Sequence, residues 1–254
     1  MQNGASLFLA VSDFIRGKLL EQNFPPEKVI VHYTGVDTNL FSPAQEEPEP
    51  IVLFVGRLSE RKGPQHLIRA MASVQQDDPR VELVLIGDGP LRKELEQQAK
   101  ISLKKYRFLG AQTPEIVREW MNRAAVFSAP SIRAESGGEE AFGMVFAEAQ
   151  SMQKPVVAFA SGGIVEAVQH EQTGLLAPEK DWRKLAEYLS LLLRNDHLRR
   201  QFGAAGRERV LRLFDLERQT RVLETIYSRV AVTHTAARRR ESNSRETVEI
   251  CHES

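Results

Sequence analysis

The sequence predicts an α/β protein with a parallel sheet and helices on both faces. Apolar segments alternate along the chain with segments of helical periodicity, and this alternation is typical of parallel strands joined by helices. Residues 51–55 are apolar without interruption and rich in β-branched types, as expected of a strand that is covered on both faces. The segment 81–86, apolar except for Glu82, is followed directly by Gly87-Asp88-Gly89-Pro90, which predicts a tight turn into the next helix.

Two strands and one helix are predicted before residue 51. Residues 6–11 form a predicted strand, and Ser12 is the predicted N-cap of the helix that follows it. Residues 29–31 form a second strand. Three prolines and three glutamates then fall within residues 43–50, and this composition predicts a linker between two domains.

The rest of the chain continues the alternation. Gly63-Pro64 precedes a helical repeat of apolar residues, which places proline in the first turn of a helix. Further strands are predicted at residues 81–86, 107–109 and 156–159, and the apolar segment 125–129 leads into a loop at 130–139. Further helices are predicted at 91–100, 113–121, around Glu148, after Gly163 and at 181–230. Residues 231–254 carry three consecutive arginines and a Ser/Glu-rich end, which predicts a disordered tail.

The segment from Glu140 to Glu148 is the most informative functional signal. One carboxylate lies just before the start of a predicted helix, and a second lies inside that helix. The free N–H groups and the positive dipole end of a helix start can hold a phosphate, while the carboxylates can bind sugar hydroxyls on either side of it. A nucleotide sugar has this layout, because its pyrophosphate lies between a sugar and a ribose.

Two other interpretations compete for the same glutamates. In a wholly helical segment the two residues would lie about 12 Å apart along the axis. Glycoside hydrolases need carboxyl groups about 5–5.5 Å apart for retention or about 6.5–9.5 Å apart for inversion, so a hydrolase pair fits poorly. On the spacing alone, Glu140 as a loop charge and Glu148 as a capping or solvent-facing residue remain an open alternative.

Arg57 and Lys62 are candidate phosphate ligands. Both lie in the loop after the strand at residues 51–55, and open α/β sheets bind ligands at the carboxyl ends of their strands. Arginine can hold a phosphate through two hydrogen bonds, and lysine adds a mobile point charge. A single loop cation is commonly only solvated, but the order of strand, Gly56-Arg57 and Lys62-Gly63 favours binding.

Taken together, these motifs resemble the donor half of retaining GT-B glycosyltransferases of family 4. The resemblance covers roughly residues 5–230. The segments that carry it are Gly35-Val36-Asp37, Gly56-Arg57-Leu58, Lys62-Gly63, Gly87-Asp88-Gly89-Pro90, Glu140-x7-Glu148, Lys154-Pro155-Val156-Val157, Gly162-Gly163, Glu166 and Thr173-Gly174-Leu175-Leu176. It implies a Rossmann-like domain, the C-terminal half of a GT-B fold.

The resemblance also implies a role for each candidate residue. Arg57 and Lys62 would hold the donor pyrophosphate, and Glu148 would hydrogen-bond the ribose. Glu140, the catalytic candidate, would orient a hydroxyl of the donor sugar. The sugar and the distal phosphate would also contact four backbone positions, those of Phe142, Gly143, Met144 and Val145.

A two-domain organisation follows from the same resemblance. Members of the family have two Rossmann-like domains, and the first carries the acceptor site. Residues 1–42 are therefore expected to be a remnant of the acceptor-side domain, 43–50 the linker, 51–230 the donor-binding domain and 231–254 the tail. The chain is expected to be an N-terminally truncated product, the result of a misplaced start, or a deliberate fragment, and another chain could supply the missing domain.

The expected activity is transfer of a sugar, with retention, from a UDP- or GDP-linked donor to a glycan or lipid-linked acceptor. The alternative from a different class is a non-catalytic nucleotide-sugar-binding module or partner subunit. A third interpretation is a GT-B sugar-nucleotide epimerase, but the context of Glu140 and Glu148 argues against it.

Composition and motif content limit the classes of partner and the cellular location that the sequence predicts. Lys plus Arg and Asp plus Glu each number 34 in 254 residues, and this zero net charge argues against a nucleic-acid partner. The histidines lack zinc-ligand spacing and no Asp-x-Asp occurs, so donor binding without a metal or other cofactor is predicted. The sequence lacks signal-peptide features and a bilayer-spanning apolar run. It therefore predicts a cytoplasmic protein, peripheral at the inner membrane face where the acceptor is a lipid.

Overall fold

The computed structural model describes residues 5–44, 47–135 and 137–232. Its strands are β1 (Phe8–Ala10), β2 (Val29–Val31), β3 (Glu49–Val55), β4 (Glu82–Ile86), β5 (Tyr106–Gly110), β6 (Ala124–Ser128), β7 (Val156–Phe159) and β8 (Gly174–Ala177). Its helices are α1 (Asp13–Glu21), α2 (Pro64–Asp77), α3 (Arg92–Ser102), α4 (Pro114–Arg123), α5 (Met144–Ser151), α6 (Ile164–Ala167), α7 (Trp182–Arg194), α8 (Asp196–Leu213) and α9 (216–232). Single 3-10 turns cover Pro26–Lys28 and Glu60–Lys62. Most of the predicted tail lies outside the described residues.

The main sheet has six described strands in the order β5-β4-β3-β6-β7-β8, and every neighbouring pair is parallel. The chain moves outward from β3 to β5, crosses back, and moves outward again from β6 to β8. With right-handed connections, α2 and α3 cover one face and α4 and α5 the other. The predicted Rossmann-like α/β class is confirmed. The strand order reverses between β3 and β6, which is the point where such sheets bind ligands.

The central strands are apolar because both of their faces are covered. Every residue of β4 and β6 is buried. In β3, Leu53 lies between Val84 of β4 and Phe127 of β6. Glu82, the charged residue at the start of β4, accepts from Arg107 at 2.6 Å, so its charge is paired.

The residues before β3 form a smaller unit. β1 and β2 pair in parallel, and α1 connects them. As predicted, Ser12 caps α1, accepting the N–H of Ile15 at 3.1 Å. The unit packs on the end of the main domain, where His32 Nε2 lies 3.0 Å from the Gln219 carbonyl of α9. The proposed division of function between residues 1–42 and 51–230 stays a prediction.

Two boundaries differ from the sequence prediction. β3 begins at Glu49, so the predicted linker ends two residues earlier, and Glu49 accepts from Arg123 at 2.7 Å. The predicted helix over 181–230 is three helices, α7, α8 and α9. The breaks occur where Asn195 and Asp215 accept N–H groups of the following helix, from Leu198 at 3.0 Å and Arg218 at 2.9 Å. Such caps compete with continuous helix.

Strand β8 was not predicted. Its sequence, Gly-Leu-Leu-Ala, contains leucine and alanine, which favour helix, and its pairing with β7 at the sheet edge decides its conformation instead. None of the described helices has the length and hydropathy needed to cross a membrane.

Candidate functional site

The loops after β3 and β6 meet at the point where the strand order reverses. Gly63 has a φ of 68°, and a Cβ added to it would lie 1.9 Å from the Pro130 carbonyl oxygen. The Ile132 N–H donates to the Arg61 carbonyl at 2.8 Å. Glycine at position 63 is therefore required for the two loops to touch, and their contact brings residues 61 and 62 beside residues 131 and 140.

Glu140 is the centre of this contact. It is only 7% exposed, and its carboxylate accepts from the Lys62 ammonium. The Arg61 guanidinium lies 3.4 Å from the same oxygen, and the Ser131 hydroxyl donates to it at 3.4 Å. Two cations and a hydroxyl therefore compensate this buried charge, as a buried carboxylate requires.

The loop after β7 holds the backbone of Glu140 from another side. The Gly163 N–H donates to the Glu140 carbonyl at 2.8 Å. A Cβ added to Gly162 would lie 2.4 Å from the same carbonyl oxygen, so this loop can approach only with glycine there. Glu140 is thus fixed through its side chain by the β3 loop and through its backbone by the β7 loop.

The start of α5 follows directly. Gly143 is the N-cap, with a φ of 85°, and no side chain caps the helix. The first N–H groups of a helix have no partner inside it, so the positive end of α5 is available to an anion. The Phe142 ring is buried against Tyr33 and Phe214, at centroid distances of 5.6 and 4.9 Å, which leaves only its backbone for ligand contact.

Glu148 lies in the second turn of α5 and differs from Glu140. Burial raises its pKa above that of an ordinary glutamate. Within the described part of the chain, its carboxylate has no hydrogen-bond or ion-pair partner. A partly buried carboxylate without a protein partner can accept hydrogen bonds from the hydroxyl groups of a ligand.

Arg57 lies apart from this cluster. Its side chain is exposed in the loop after β3, and the described residues give it no hydrogen bond or ion pair. The structure therefore brings together Lys62, Glu140 and the start of α5, while Arg57 lies in the same loop as Lys62 without contacting them.

Sequence reasoning missed Arg61 and Ser131 as neighbours of Glu140. The basic pair Arg61-Lys62 was a signal for the first, but only the adjacency of β3 and β6 places Ser131 there.

Glu140 lies four residues before α5, so the helical spacing used to compare the two glutamates with hydrolase pairs does not apply. Among the described residues, no group of three or more His, Cys, Asp or Glu is placed to hold a metal ion; metal-independent binding remains a prediction.

Comparison with known proteins gives the family. Residues 36–209 match the model of a family described as glycosyl transferases group 1. The chain belongs to this family. The matched span contains every candidate residue named above, from Arg57 to Glu148. It also contains both glycines of the β7 loop.

Two relatives and one solved structure illustrate the match. The D-inositol 3-phosphate glycosyltransferase of Corynebacterium efficiens is 33% identical over 224 residues, which cover 80% of this chain and 51% of the relative. The phosphatidyl-myo-inositol mannosyltransferase of Mycobacterium leprae is 34% identical, over 89% of this chain and 59% of the relative. HepE of Anabaena, solved with UDP and glucose, has a TM-score of 0.77 at 26% identity and covers 88% of this chain and 63% of that chain. The chain thus spans little more than half the length of these relatives.

Proposed function

We propose that this chain contains the nucleotide-sugar donor site of a retaining family 4 glycosyltransferase. The observation that carries the proposal is Glu148, a partly buried carboxylate without a partner in the described chain, on a helix whose start is uncapped. A ribose hydroxyl bound to Glu148 would place a pyrophosphate toward the start of α5. The donor sugar would then reach Glu140.

Lys62 has two partners in this proposal. Without donor its ammonium is bound to Glu140. When the diphosphate binds, Lys62 and Arg57 neutralise its charge together with the start of α5. Arg61 and Ser131 stay beside Glu140 when Lys62 turns to the phosphate, so the carboxylate keeps partners in both states.

Transfer with retention would proceed by departure of the nucleoside diphosphate while the acceptor hydroxyl attacks from the same face and gives its proton to the leaving diphosphate. The positive charges that hold the ground-state phosphates stabilise the larger negative charge of the leaving group. Glu140 orients a sugar hydroxyl and is not a nucleophile. The acceptor is a glycan or a lipid-linked molecule, as supported by the phosphatidyl-myo-inositol in the name of the Mycobacterium leprae relative, and it approaches from the side of residues 1–42.

A thermal-shift panel tests the donor site. UDP, GDP, ADP and their common sugar conjugates are each added to the wild type, to Arg57→Ala and to Arg183→Ala, which removes an exposed arginine on α7 as a matched control. A ligand at about 100 times its dissociation constant adds about 2.7 kcal/mol, which corresponds to a shift of several degrees.

The expected result is a shift with one nucleotide that survives in Arg183→Ala and is lost in Arg57→Ala. Absence of a shift with every nucleotide in the wild type contradicts the proposed donor site. Activity is tested separately, with acceptor-side residues supplied in the same or another chain, because a donor shift without turnover would favour the binding-module alternative.

A further inference from the structure

Helix α1 lies directly against the site segment 139–141. The Ser12 hydroxyl has two bonds: it accepts the Ile15 N–H at 3.1 Å and donates to the Ala141 carbonyl at 2.6 Å. The same hydroxyl therefore caps α1 and ties the helix start to the residue after Glu140. The residues it joins lie 129 positions apart in the sequence.

Glu166 forms a second link to the start of α1. Its two carboxylate oxygens accept the Asp13 and Phe14 N–H groups, each at 2.7 Å. A carboxylate at a helix start satisfies free N–H groups and complements the helix dipole. Glu166 lies in α6, three residues after Gly163, whose N–H binds the Glu140 carbonyl. The short segment 163–166 thus holds both Glu140 and α1.

Two further groups hold Glu166 in place. The Tyr33 hydroxyl donates to its carboxylate at 3.2 Å, and Arg209 donates to its backbone carbonyl at 2.6 Å. Burial, together with the neighbouring Glu166 charge, raises the pKa of Tyr33 to about 12, so Tyr33 remains a donor at physiological pH. The Glu166 carboxylate therefore has three donors within the described chain.

A third, independent contact joins α1 to the site. The Lys18 ammonium lies 3.4 Å from the Glu139 carboxylate, and Lys18 is about one and two-thirds turns along α1 from Ser12. Residues 139 and 141 are thus both attached to α1, and Glu140 lies between them with its side chain turned to Lys62. A displacement of α1 cannot leave the backbone of Glu140 unchanged unless these contacts break.

We propose that Ser12 and Glu166 are positioning residues that couple α1 to the segment 139–141 and so set the orientation of Glu140 toward the donor sugar. The inference rests on the proposed donor site, because it assigns Glu140 to the sugar and the start of α5 to the phosphates. Since α1 belongs to the unit that precedes the linker, the coupling makes sugar recognition depend on how that unit is placed.

The test compares the affinity for nucleotide alone with the affinity for its sugar conjugate, by calorimetry. The probes are UDP with UDP-glucose and GDP with GDP-mannose. In Glu166→Gln the side-chain amide has a single acceptor oxygen, so its NH2 group faces one of the two N–H groups of α1 that the carboxylate accepted. Ser12→Ala removes the hydrogen bond to the Ala141 carbonyl. The expected result is an affinity about tenfold lower for the sugar conjugate, the scale of one lost hydrogen-bonded contact, with nucleotide affinity unchanged. Asn195→Ala, which removes the side-chain cap of α8, is the matched control and should change either affinity less than about twofold.

An equal loss of affinity for the nucleotide and for its sugar conjugate overturns the coupling, and so does unchanged affinity in both variants. Backbone hydrogen exchange on the same variants gives a readout that needs no ligand: amides in 13–21 and in 139–143 should both exchange faster in Glu166→Gln, while α4 is unchanged. Faster exchange confined to α1 also overturns the inference. If the wild type binds no nucleotide, the donor proposal fails, and hydrogen exchange still decides the coupling.

Discussion

Glu140 and Glu148 belong to one short segment but lie in opposite electrostatic environments. Glu140 is the more buried of the two, yet Lys62, Arg61 and Ser131 compensate its charge. Glu148 is less buried and has no partner in the described chain, and burial raises its pKa. Glu140 is therefore held in place by the fold before any ligand binds, whereas Glu148 is available to a group that the fold does not provide.

The two carboxylates therefore differ in their effect on the stability of the ligand-free protein. An ion pair between the two loops stabilises the place where they meet, so its residues contribute even without a ligand. An unpartnered carboxylate costs stability, and groups whose pKa is shifted by burial concentrate at functional sites. Four substitutions test the comparison.

Lys62→Met should have the largest effect on stability. It leaves the buried Glu140 charge with only Arg61 and Ser131, and removal of one partner from a buried pair costs about 3 kcal/mol. Urea unfolding measures the loss. Lys62→Arg, which keeps the charge, is the control, and Glu140→Gln in the Lys62→Met background should recover most of the stability. An unchanged unfolding midpoint in Lys62→Met would show that the pair contributes nothing.

Glu140→Gln should reduce turnover more than donor binding. The amide keeps the size of the side chain but loses the charge that orients the sugar hydroxyl, and loss of one such electrostatic contact costs about a hundredfold in kcat. Steady-state kinetics with the acceptor side present measure it. Donor affinity, measured by calorimetry, should fall by only about tenfold, the scale of one lost hydrogen-bonded contact. Normal turnover in this variant would remove Glu140 from the catalytic role.

Glu148→Gln should stabilise the ligand-free protein at neutral pH. Relief of an unsatisfied buried charge is worth about 1 kcal/mol, and thermal unfolding detects a gain of this size. The folded-state pKa is raised above that of the unfolded chain, so ionisation destabilises the fold as pH rises through the folded pKa. The gain should therefore be full above that pKa and vanish on acidification below the unfolded pKa. A gain that persists in acid would have another cause.

Arg57→Ala should have the smallest effect on stability. The side chain is exposed and without a partner among the described residues, and surface substitutions of this kind usually change stability by less than about 0.5 kcal/mol. Chemical unfolding of the ligand-free variant checks this. A large loss of stability would mean that Arg57 has a structural role and would disqualify Arg57→Ala as a test of donor binding.

Local patterns were enough to predict much of this fold. The uninterrupted apolar run of β3, the Ser12 cap and the proline in the first turn of α2 are signals contained within a few residues, and the structure confirms each. The start of α5 between the two glutamates was likewise expected from adjacent residues.

Features that depend on contacts distant in sequence were not predictable. The compensation of Glu140 by Arg61 and Ser131 depends on β3 and β6 being neighbours, and no local pattern gives the strand order. β8 forms because β7 offers it a free edge, against the helical preference of its leucines. The links from Ser12 and Glu166 to their partners span more than a hundred residues, so only the folded chain shows them.

The most direct test is calorimetric titration of the wild type and Glu148→Gln with the nucleotide that the thermal-shift panel selects. The predicted result is a combination of opposite signs: the variant is more stable without ligand and binds the nucleotide at least about tenfold more weakly, as expected when a charged hydrogen-bond acceptor is lost. Equal affinity in the two proteins would show that Glu148 does not contact the nucleotide and would contradict the proposed donor site.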